Sequence, residues 1–296
     1  MPSGGWSSNR AAVMLLAVLA LAPAAPAAAE SACRRGEFRV FVDIGHTSEV
    51  PGAISARGVW EYEFNRILAN RIEHALLAAG FERTVLAITS GRARESLHRR
   101  VAYANSLPAD LFLSIHHDSV PEKFKQDWRY VGAKRRYSDR FKGHSIFVSY
   151  NNRDRAGSLA FGRMLGLQLK ARDLHYTPHY TRADMGKRRR ELVDAQAGVY
   201  RFDKLVVLRT TAMPAVLLEA GSIINRDEEI QVLRTERQAR VSAAVTGAVE
   251  EFCAARAAQV SAVRKRPQVL HAARPRAREA KPAPAKNNAS QAHRAD

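Results

Sequence analysis

The sequence predicts an α/β fold in which crossover helices cover a parallel sheet. Short apolar runs alternate along the chain with longer segments whose apolar residues recur at helical spacing. This alternation is typical of βαβ units, in which successive strands lie parallel in one sheet. A length of 296 residues is enough for one large domain with additional terminal segments.

Six segments are predicted to be strands. The first contains Val40, Phe41 and Val42, an apolar run short enough for a strand that is buried on both faces. Gly45 allows the backbone to turn after this strand, and His46 then lies at the carboxyl edge of the sheet, where ligands gather in open α/β folds. The other predicted strands are residues 84–89, 110–115, 145–150, 205–208 and 215–219.

Helical periodicity is clearest in residues 61–79. Phe64, Leu68 and Ile72 lie on one face of this segment, and Gly80 is a suitable C-terminal stop. Two polar, basic segments are predicted to be long irregular surface regions, the second with a short helix near residues 189–196. These segments are residues 121–143 and 172–204, and the other predicted helices are residues 95–106, 156–171, 227–234 and 236–255.

The first 29 residues are predicted to be a secretory signal peptide. Arg10 supplies a positive start, and the apolar stretch that follows it is too short to span a bilayer. A membrane anchor is the alternative, and the same shortness argues against it. The predicted organisation is a signal peptide at 1–29, a folded domain at 30–256 and a basic tail at 257–296 whose composition cannot support a packed core.

The chain has two cysteines, Cys33 and Cys253, which lie near the two ends of the predicted domain. An exported protein meets an oxidising compartment, so a disulfide between them is predicted. Two unrelated buried thiols are the alternative.

The formal net charge is +18, and ten of the lysines and arginines lie between Arg256 and the C-terminus. Strong positive charge favours a polyanionic partner. Export disfavours a nucleic acid and favours an acidic polymer of the cell envelope. A basic surface that serves only solubility is the alternative.

Polar side chains follow the apolar strands at their predicted ends. His46 follows the first strand, His116 and His117 end the third, and Glu219 ends the last, while Glu61 opens the first helix. Two imidazoles and a carboxylate are a known donor set for catalytic zinc, and a second carboxylate can take a proton from water. One interpretation of the pattern is therefore a catalytic zinc site.

Each of these residues also has a structural explanation. A glutamate such as Glu61 is favourable at a helix N-terminus, and histidines at strand ends often make local hydrogen bonds. Glu219 could pair with an arginine such as Arg209. Composition and spacing alone leave both explanations open.

Several motifs follow one another along the chain. They are residues 42–46 (Val-Asp-Ile-Gly-His), 58–65 (Gly-Val-Trp-Glu-Tyr-Glu-Phe-Asn), 100–105 (Arg-Val-Ala-Tyr-Ala-Asn), 109–116 (Ala-Asp-Leu-Phe-Leu-Ser-Ile-His) and 213–221 (Met-Pro-Ala-Val-Leu-Leu-Glu-Ala-Gly). In this order, across about residues 37–252, they resemble the zinc-dependent N-acetylmuramoyl-L-alanine amidases of the type 3 family, which cut bacterial peptidoglycan. Several motifs in order are far more specific than any one of them.

The resemblance implies a single domain with a sheet of about six strands and helices on both faces. It implies one Zn²⁺ held by His46, Glu61 and His116, with Glu219 as the catalytic base. It selects His116 over the adjacent His117, and the glutamate at 61 over the one at 63.

The chain departs from the family pattern beside the first proposed ligand. Ile44 stands where the family usually has proline, and Thr47 and Ser48 stand where it usually has glycine. The loop at His46 is therefore expected to differ in shape. The segments 121–143 and 172–204 are also longer than in the minimal pattern.

Some relatives carry a helix that covers the zinc until a partner protein removes it. Residues 186–200 are the corresponding hypothesis here, with Glu191 or Asp194 approaching the metal. Under this hypothesis an activator protein is a partner.

The resemblance implies an exported or periplasmic amidase that hydrolyses the bond between the lactyl group of N-acetylmuramic acid and L-alanine. Its partner is peptidoglycan; neither nucleic acid nor a membrane span after signal removal is expected. Two alternatives remain: another zinc hydrolase of stem peptides, and a non-catalytic wall-binding or regulatory protein.

Overall fold

The computed structural model describes Gly4 and residues 33–265. Strands and helices alternate through most of this range, as the sequence pattern predicts. The strands are β1 (Val40–Ile44), β2 (Val85–Ala87), β3 (Leu111–Asp118), β4 (Gln126–Tyr130), β5 (Ala133–Tyr137), β6 (Ser145–Val148), β7 (Glu191–Asp194), β8 (Val199–Arg201) and β9 (Ala215–Ser222). The helices are α1 (Glu61–Ala78), α2 (Ala93–Ser106), α3 (Arg155–Lys170), α4 (Val206–Thr210), α5 (Arg226–Leu233) and α6 (Thr235–Lys265).

A seven-stranded sheet in the order β2-β1-β3-β9-β6-β8-β7 forms the centre of the domain. Strands β2, β1, β3 and β9 run parallel, β6 is antiparallel to β9, and β8 runs parallel to β6. Strand β7 is antiparallel to β8 at the edge. The predicted α/β domain with a mostly parallel sheet is confirmed.

The two faces of the sheet carry separate apolar cores. Helices α1, α3 and α6 cover one face, where Leu68, Leu165 and Val245 are buried. Helices α2 and α4 and the 3₁₀ segments at 178–188 cover the other, where Phe112 and Tyr200 are buried. Because both faces are covered, the central strands are apolar runs rather than alternating ones. No helix among the described residues combines the length and apolar character needed to span a bilayer.

Strand register brings the predicted site together at the carboxyl edge. Ile44 at the end of β1 pairs with Ile115 in β3, so His46 emerges beside His116. In the next parallel pair, His116 lies directly opposite Glu219 of β9. Adjacent strands in register therefore deliver three of the predicted site residues to one edge of the sheet.

The predicted strand at 205–208 is wrong, because residues 206–210 form helix α4. The amide groups of Leu208 and Arg209 both donate to the Leu205 carbonyl. Val207 and Leu208 are buried against the α2 side of the core. A short apolar run without alternation fits a buried strand and a short buried helix equally well, so periodicity could not separate them.

The predicted helix near 189–196 is also wrong, because residues 191–194 form strand β7. Leu192 pairs with Tyr200 of β8 at the edge of the sheet. This pairing places the partly buried Leu192 against the second apolar core. Pairing with a neighbouring strand outweighs the local helix preference.

The predicted loop at 121–143 contains a hairpin of β4 and β5. Val131 and Gly132 join the strands, both with positive φ (48° and 75°). Two positive φ values are characteristic of a type I′ turn, for which asparagine and glycine are the usual residues. Valine at the first of these positions carries no turn signal, which is why the sequence did not predict the hairpin.

Helix α6 runs to Lys265, so residues 257–265 of the predicted tail continue the helix. The rest of that tail and the predicted signal peptide, apart from Gly4, lie outside the described residues. The short predicted helix at 227–234 corresponds closely to α5, whose first turn is capped by the Asn225 side chain.

Cys33 and Cys253 form the predicted disulfide across a separation of 220 residues. The bond ties the start of the described chain to α6. Beside it, Phe38 packs edge-on against Phe252 and Arg35 pairs with Glu250. The two ends of the fold are thus held together covalently, by aromatic packing and by an ion pair.

Replacing both cysteines by serine should lower the free energy of unfolding by about 2–5 kcal/mol, because the crosslink restricts a long loop in the unfolded chain. Urea unfolding of the oxidised wild type and of the Cys33→Ser/Cys253→Ser variant measures the difference. A phosphine reductant should bring the wild type to the stability of the variant and leave the variant unchanged. Equal stability of the oxidised wild type and the variant would contradict a stabilising role.

Candidate metal centre

His46, Glu61 and His116 lie close enough to hold one metal ion. The Nε2 atom of His46 is 3.1 Å from Oε2 of Glu61, and the Nδ1 atom of His116 is 3.0 Å from Oε1. The candidate ligand atoms of all three side chains lie within 4.8 Å of one another. Tetrahedral zinc with bonds near 2.0–2.2 Å separates its donors by about 3.3 Å, so this donor set fits such an ion.

The turn after β1 presents His46. Only glycine fits at position 45, because a Cβ there would lie 2.4 Å from Nε2 of His116. His46 itself has a positive φ of 68°, a conformation that few residues other than glycine adopt. Strained backbone of this kind persists only where surrounding contacts fix it.

Arg100 of α2 supplies those contacts. Its guanidinium donates to the carbonyl oxygens of Ile44, at 2.7 Å, and of His46. It also contacts both carboxylate oxygens of Asp43 at 3.2 Å, and Ser114 donates to the same carboxylate at 2.6 Å. Arg100 is 1 % exposed and Asp43 is fully buried. A buried, paired cation therefore holds the backbone on both sides of Gly45.

Glu61 begins α1 and is buried between the two histidines. The Ala53 amide donates to Oε2 at 3.1 Å, and the Asn65 side chain donates to Oε1 at 3.3 Å. Burial acts to raise the pKa of the Glu61 carboxyl, but the contacts with His116 and His46 outweigh burial and lower it. The carboxylate is therefore ionised at neutral pH, which suits a metal ligand.

Neighbouring residues of the same type have other partners. The ring of His117 points to α1, where its Nδ1 lies 2.8 Å from Oδ1 of Asn65, and burial lowers its pKa to about 3. Glu63 pairs with Arg66 on the surface of α1 at 2.9 Å. The structure thus brings together the glutamate and the histidine that the family resemblance selects, and it directs their neighbours elsewhere.

Glu219 lies beside this cluster in a cavity of 490 Å³ that the three residues also line. Its Oε2 atom is buried and has no hydrogen-bond partner among the described residues. Burial raises the pKa of Glu219 well above its usual value; the charges of Asp118 and Glu61 act in the same direction, and Arg188 opposes them. The alternative partner Arg209 does not pair with it in the structure.

Sequence reasoning missed a polar cluster on one wall of the cavity. Tyr180 donates to Oδ1 of Asp118 at 2.9 Å, and Nε2 of His179 lies 3.5 Å from Oδ2. Burial raises the pKa of Asp118 to about 7. Asp118 could have been found from the sequence, because it lies two residues after His116 at the end of β3. Tyr180 could not, because it lies in the segment that was predicted only to be irregular.

The predicted cover at 186–200 is not seen over the ligands. Asp194 binds Arg163 of α3 at 2.6 Å, and Glu191 pairs with Arg201 at the sheet edge. The residues of this segment that line the cavity are Arg188 and Arg190, both cations. The two acidic residues of the hypothesis therefore do not approach the metal site in this structure.

Comparison with known proteins identifies a family. The sequence matches the family model described as N-acetylmuramoyl-L-alanine amidase over residues 40–251. This range contains every residue of the candidate site. Among curated proteins, none matches the sequence.

Solved structures share the fold at low identity. The N-acetylmuramyl-L-alanine amidase of Mycobacterium smegmatis is 19% identical with a TM-score of 0.56, and 74% of this chain and 98% of that chain are covered. The catalytic domain of the amidase CwlV from Bacillus (Paenibacillus) polymyxa var. colistinus is 24% identical with a TM-score of 0.52, at coverages of 73% and 97%. The CwlD amidase from Clostridioides difficile, in complex with the GerS lipoprotein, is 16% identical with a TM-score of 0.53, at coverages of 74% and 99%.

Replacing Arg100 by methionine should weaken both folding and metal binding. The change leaves Asp43 buried without its cation, at a cost of about 3–5 kcal/mol in the free energy of unfolding. It also frees the backbone at His46, so zinc affinity should fall about 10–100-fold. Urea unfolding and competitive zinc titration of the folded protein measure the two effects.

The matched control is Arg99→Met, because Arg99 is the preceding residue of α2 and is exposed. This variant should differ little from wild type in either measurement. If Arg100→Met lowers stability but keeps the wild-type zinc affinity, Arg100 does not position His46.

Proposed function

The chain belongs to the N-acetylmuramoyl-L-alanine amidase family, and from that premise we propose that it is an exported, zinc-dependent peptidoglycan amidase. It hydrolyses the amide between the lactyl group of N-acetylmuramic acid and L-alanine of the stem peptide. The observation that carries this proposal is the group His46, Glu61 and His116, which shares one cavity with the unpaired carboxylate of Glu219.

The three donors fit zinc better than magnesium or calcium. Two nitrogen donors and one carboxylate oxygen form a mixed set, whereas the harder ions prefer oxygen alone. His46, Glu61 and His116 would hold the Zn²⁺, which would supply the Lewis acidity needed to activate water and to polarise the scissile carbonyl. Three protein ligands leave a coordination position for the reaction.

Glu219 is the proposed general base. Its side chain lines the same cavity as the three proposed ligands, so the ionised carboxylate can take a proton from the attacking water and hold it. The same carboxyl can then give that proton to the leaving nitrogen of L-alanine. The buried Oε2 atom has no competing partner among the described residues, so it is free for both transfers.

Apolar side chains form one wall of the cavity. Phe147, Phe202, Leu205 and Leu217 line it together with the charged groups. An apolar wall limits the water around Glu219 and strengthens the electrostatic interactions within the site. It also offers a surface on which the substrate can be oriented for attack.

Export is supported by the disulfide and the charge of the chain. Structural disulfides persist in oxidising compartments, and Cys33–Cys253 is such a bond. A net charge of +18 attracts the protein to acidic polymers of the envelope.

Regulation by a partner protein is a separate prediction that no observation tests. The CwlD amidase, which shares the fold, occurs in complex with a lipoprotein, and this complex is the precedent for such a partner.

Replacing Glu219 by glutamine should abolish most of the activity without loss of zinc. The amide cannot accept the proton, so kcat should fall about 10²–10⁴-fold, the usual contribution of a general base. Purified peptidoglycan is incubated with each protein, and the released peptides are identified by mass. Wild type should release intact stem peptides with a free L-alanine terminus.

Two results would overturn this assignment. Fragments cut within the stem peptide would indicate a different zinc hydrolase. Binding to peptidoglycan without release of peptide by the zinc-loaded wild type would indicate a wall-binding protein. Metal analysis accompanies each assay, so that loss of the base is distinguished from loss of a ligand.

Replacing Glu61 by glutamine should remove the metal while Glu63→Gln should not. The first change removes the ligand charge between two histidines, so zinc affinity should fall by about 100-fold or more. The second lies two residues further along the same helix and alters only a surface pair with Arg66. Zinc content after dialysis against a weak chelator should be near one per chain for Glu63→Gln and wild type, and near zero for Glu61→Gln; equal retention would contradict the ligand assignment.

A further inference from the structure

A second cavity, of 380 Å³, adjoins the metal pocket. Gly52 and Ala53 line both cavities. The Ala53 amide donates to Glu61, so the shared wall is the backbone that holds the proposed ligand. A substrate that extends from the metal pocket along this wall enters the second cavity directly.

The second cavity, here called the basic groove, is lined by four cations of the 122–136 region and by the indole of Trp60. The cations are Lys125, Lys134, Arg135 and Arg136. Strand β5 of the hairpin supplies the last three, and the turn before β4 supplies Lys125. This hairpin lies in residues 121–143, one of the two segments that are longer than in the minimal family pattern.

Three of the four cations already have carboxylate partners. Lys125 lies 2.6 Å from Glu122, and Lys134 lies 3.0 Å from Asp127. Arg136 contacts both of these carboxylates, at 3.5 Å and 3.0 Å. These three cations are paired with only two carboxylates. With Arg135 added, positive charges in the groove outnumber negative ones.

Arg135 has no ion pair or hydrogen bond to any described residue. Its side chain is partly buried, and its Nε atom is fully buried without a partner. The guanidinium lies against the backbone of Gly58, where a Cβ would come within 2.4 Å of Cζ. A guanidinium without a counter-charge beside the metal pocket is available to bind an anionic ligand.

The rest of the groove suits a peptide more than a free ion. Trp60 and Ile54 are 44 % and 42 % exposed, although both are large and apolar. They pair through an isolated backbone bridge just before Glu61. The groove therefore offers apolar contact for aliphatic side chains next to a cation for a carboxylate.

We propose that the basic groove is a substrate subsite in which Arg135 binds a free carboxylate of the stem peptide. This inference rests on the proposed function, because the metal pocket would hold the L-alanine amide. An extended peptide advances about 3.5 Å per residue, so acidic residues that follow L-alanine reach an adjoining cavity. Arg135 then contributes to binding and specificity, while the chemical step remains at Glu219.

The test is a kinetic comparison of two forms of a soluble muropeptide, one with free stem carboxylates and one with those carboxylates amidated. For the free-acid form, Arg135→Gln should raise KM about tenfold and leave kcat nearly unchanged, since a charge-assisted contact that binds substrate and transition state equally is lost. For the amidated form, wild type and Arg135→Gln should have the same KM.

Two further variants serve as controls. Arg129→Gln alters an exposed arginine of β4 that lies outside the groove, and it should behave as wild type on both substrates. Arg135→Lys keeps the charge without the two-pronged geometry and should recover part of the affinity for the free-acid form. Melting temperatures close to wild type show that the variants are folded.

Either of two results overturns the inference: an unchanged KM in Arg135→Gln, or the same rise in KM for both substrate forms. If wild type releases no peptide, the proposed function fails by itself. The groove is then tested by calorimetry with the free stem peptide and its amidated form. Tighter binding of the free-acid peptide that disappears in Arg135→Gln supports the subsite, and equal binding of both peptides contradicts it.

Discussion

The carboxylate of Glu61, buried between two imidazoles, is the interaction around which this structure is arranged. Burying an ionised carboxylate costs several kcal/mol unless it is paired and hydrogen-bonded. Here the loop before α1, the turn after β1 and the end of β3 all supply contacts to it. Strands β1 and β3 and helix α1, which these segments adjoin, pack into the apolar core. Arg100 also holds the strained backbone at His46. The geometry of the proposed metal site therefore depends on packing in both layers of helices.

Much of the architecture was readable from the sequence, because buried parallel strands and amphipathic helices leave strong periodic signals. His46, Glu61, His116 and Glu219 could be proposed as candidates because each lies at the end of a strand or the start of a helix. The choice of Glu61 over Glu63 and of His116 over His117 came from the family resemblance. Helix α4 could not be distinguished from a strand, and β7 depends on pairing with β8, which no local pattern reveals. The roles of Asp118, Tyr180 and Arg100 depend on contacts between distant segments, with Arg100 reaching back 54 residues to the His46 carbonyl.

Positive charge has different uses in different parts of the molecule. Arg100 pairs with Asp43 and is structural, whereas Arg188 moderates the raised pKa of Glu219 from the wall of the cavity. Arg135 remains without a counter-charge among the described residues, at the border between the metal pocket and the neighbouring groove. The net charge of +18 is thus partly a property of the active-site surroundings and partly one of the predicted tail. The proposed attraction to an acidic polymer and the proposed recognition of a carboxylate by Arg135 would be separate effects of the same composition.

Diffraction from zinc-soaked crystals at the zinc absorption edge tests the central claim most directly. We expect a single anomalous peak within about 2.0–2.2 Å of donor atoms of His46, Glu61 and His116, with Glu219 outside the coordination sphere. A peak at other residues, or one coordinated by Glu219 in place of Glu61, would contradict both the ligand set and the assignment of Glu219 as the base.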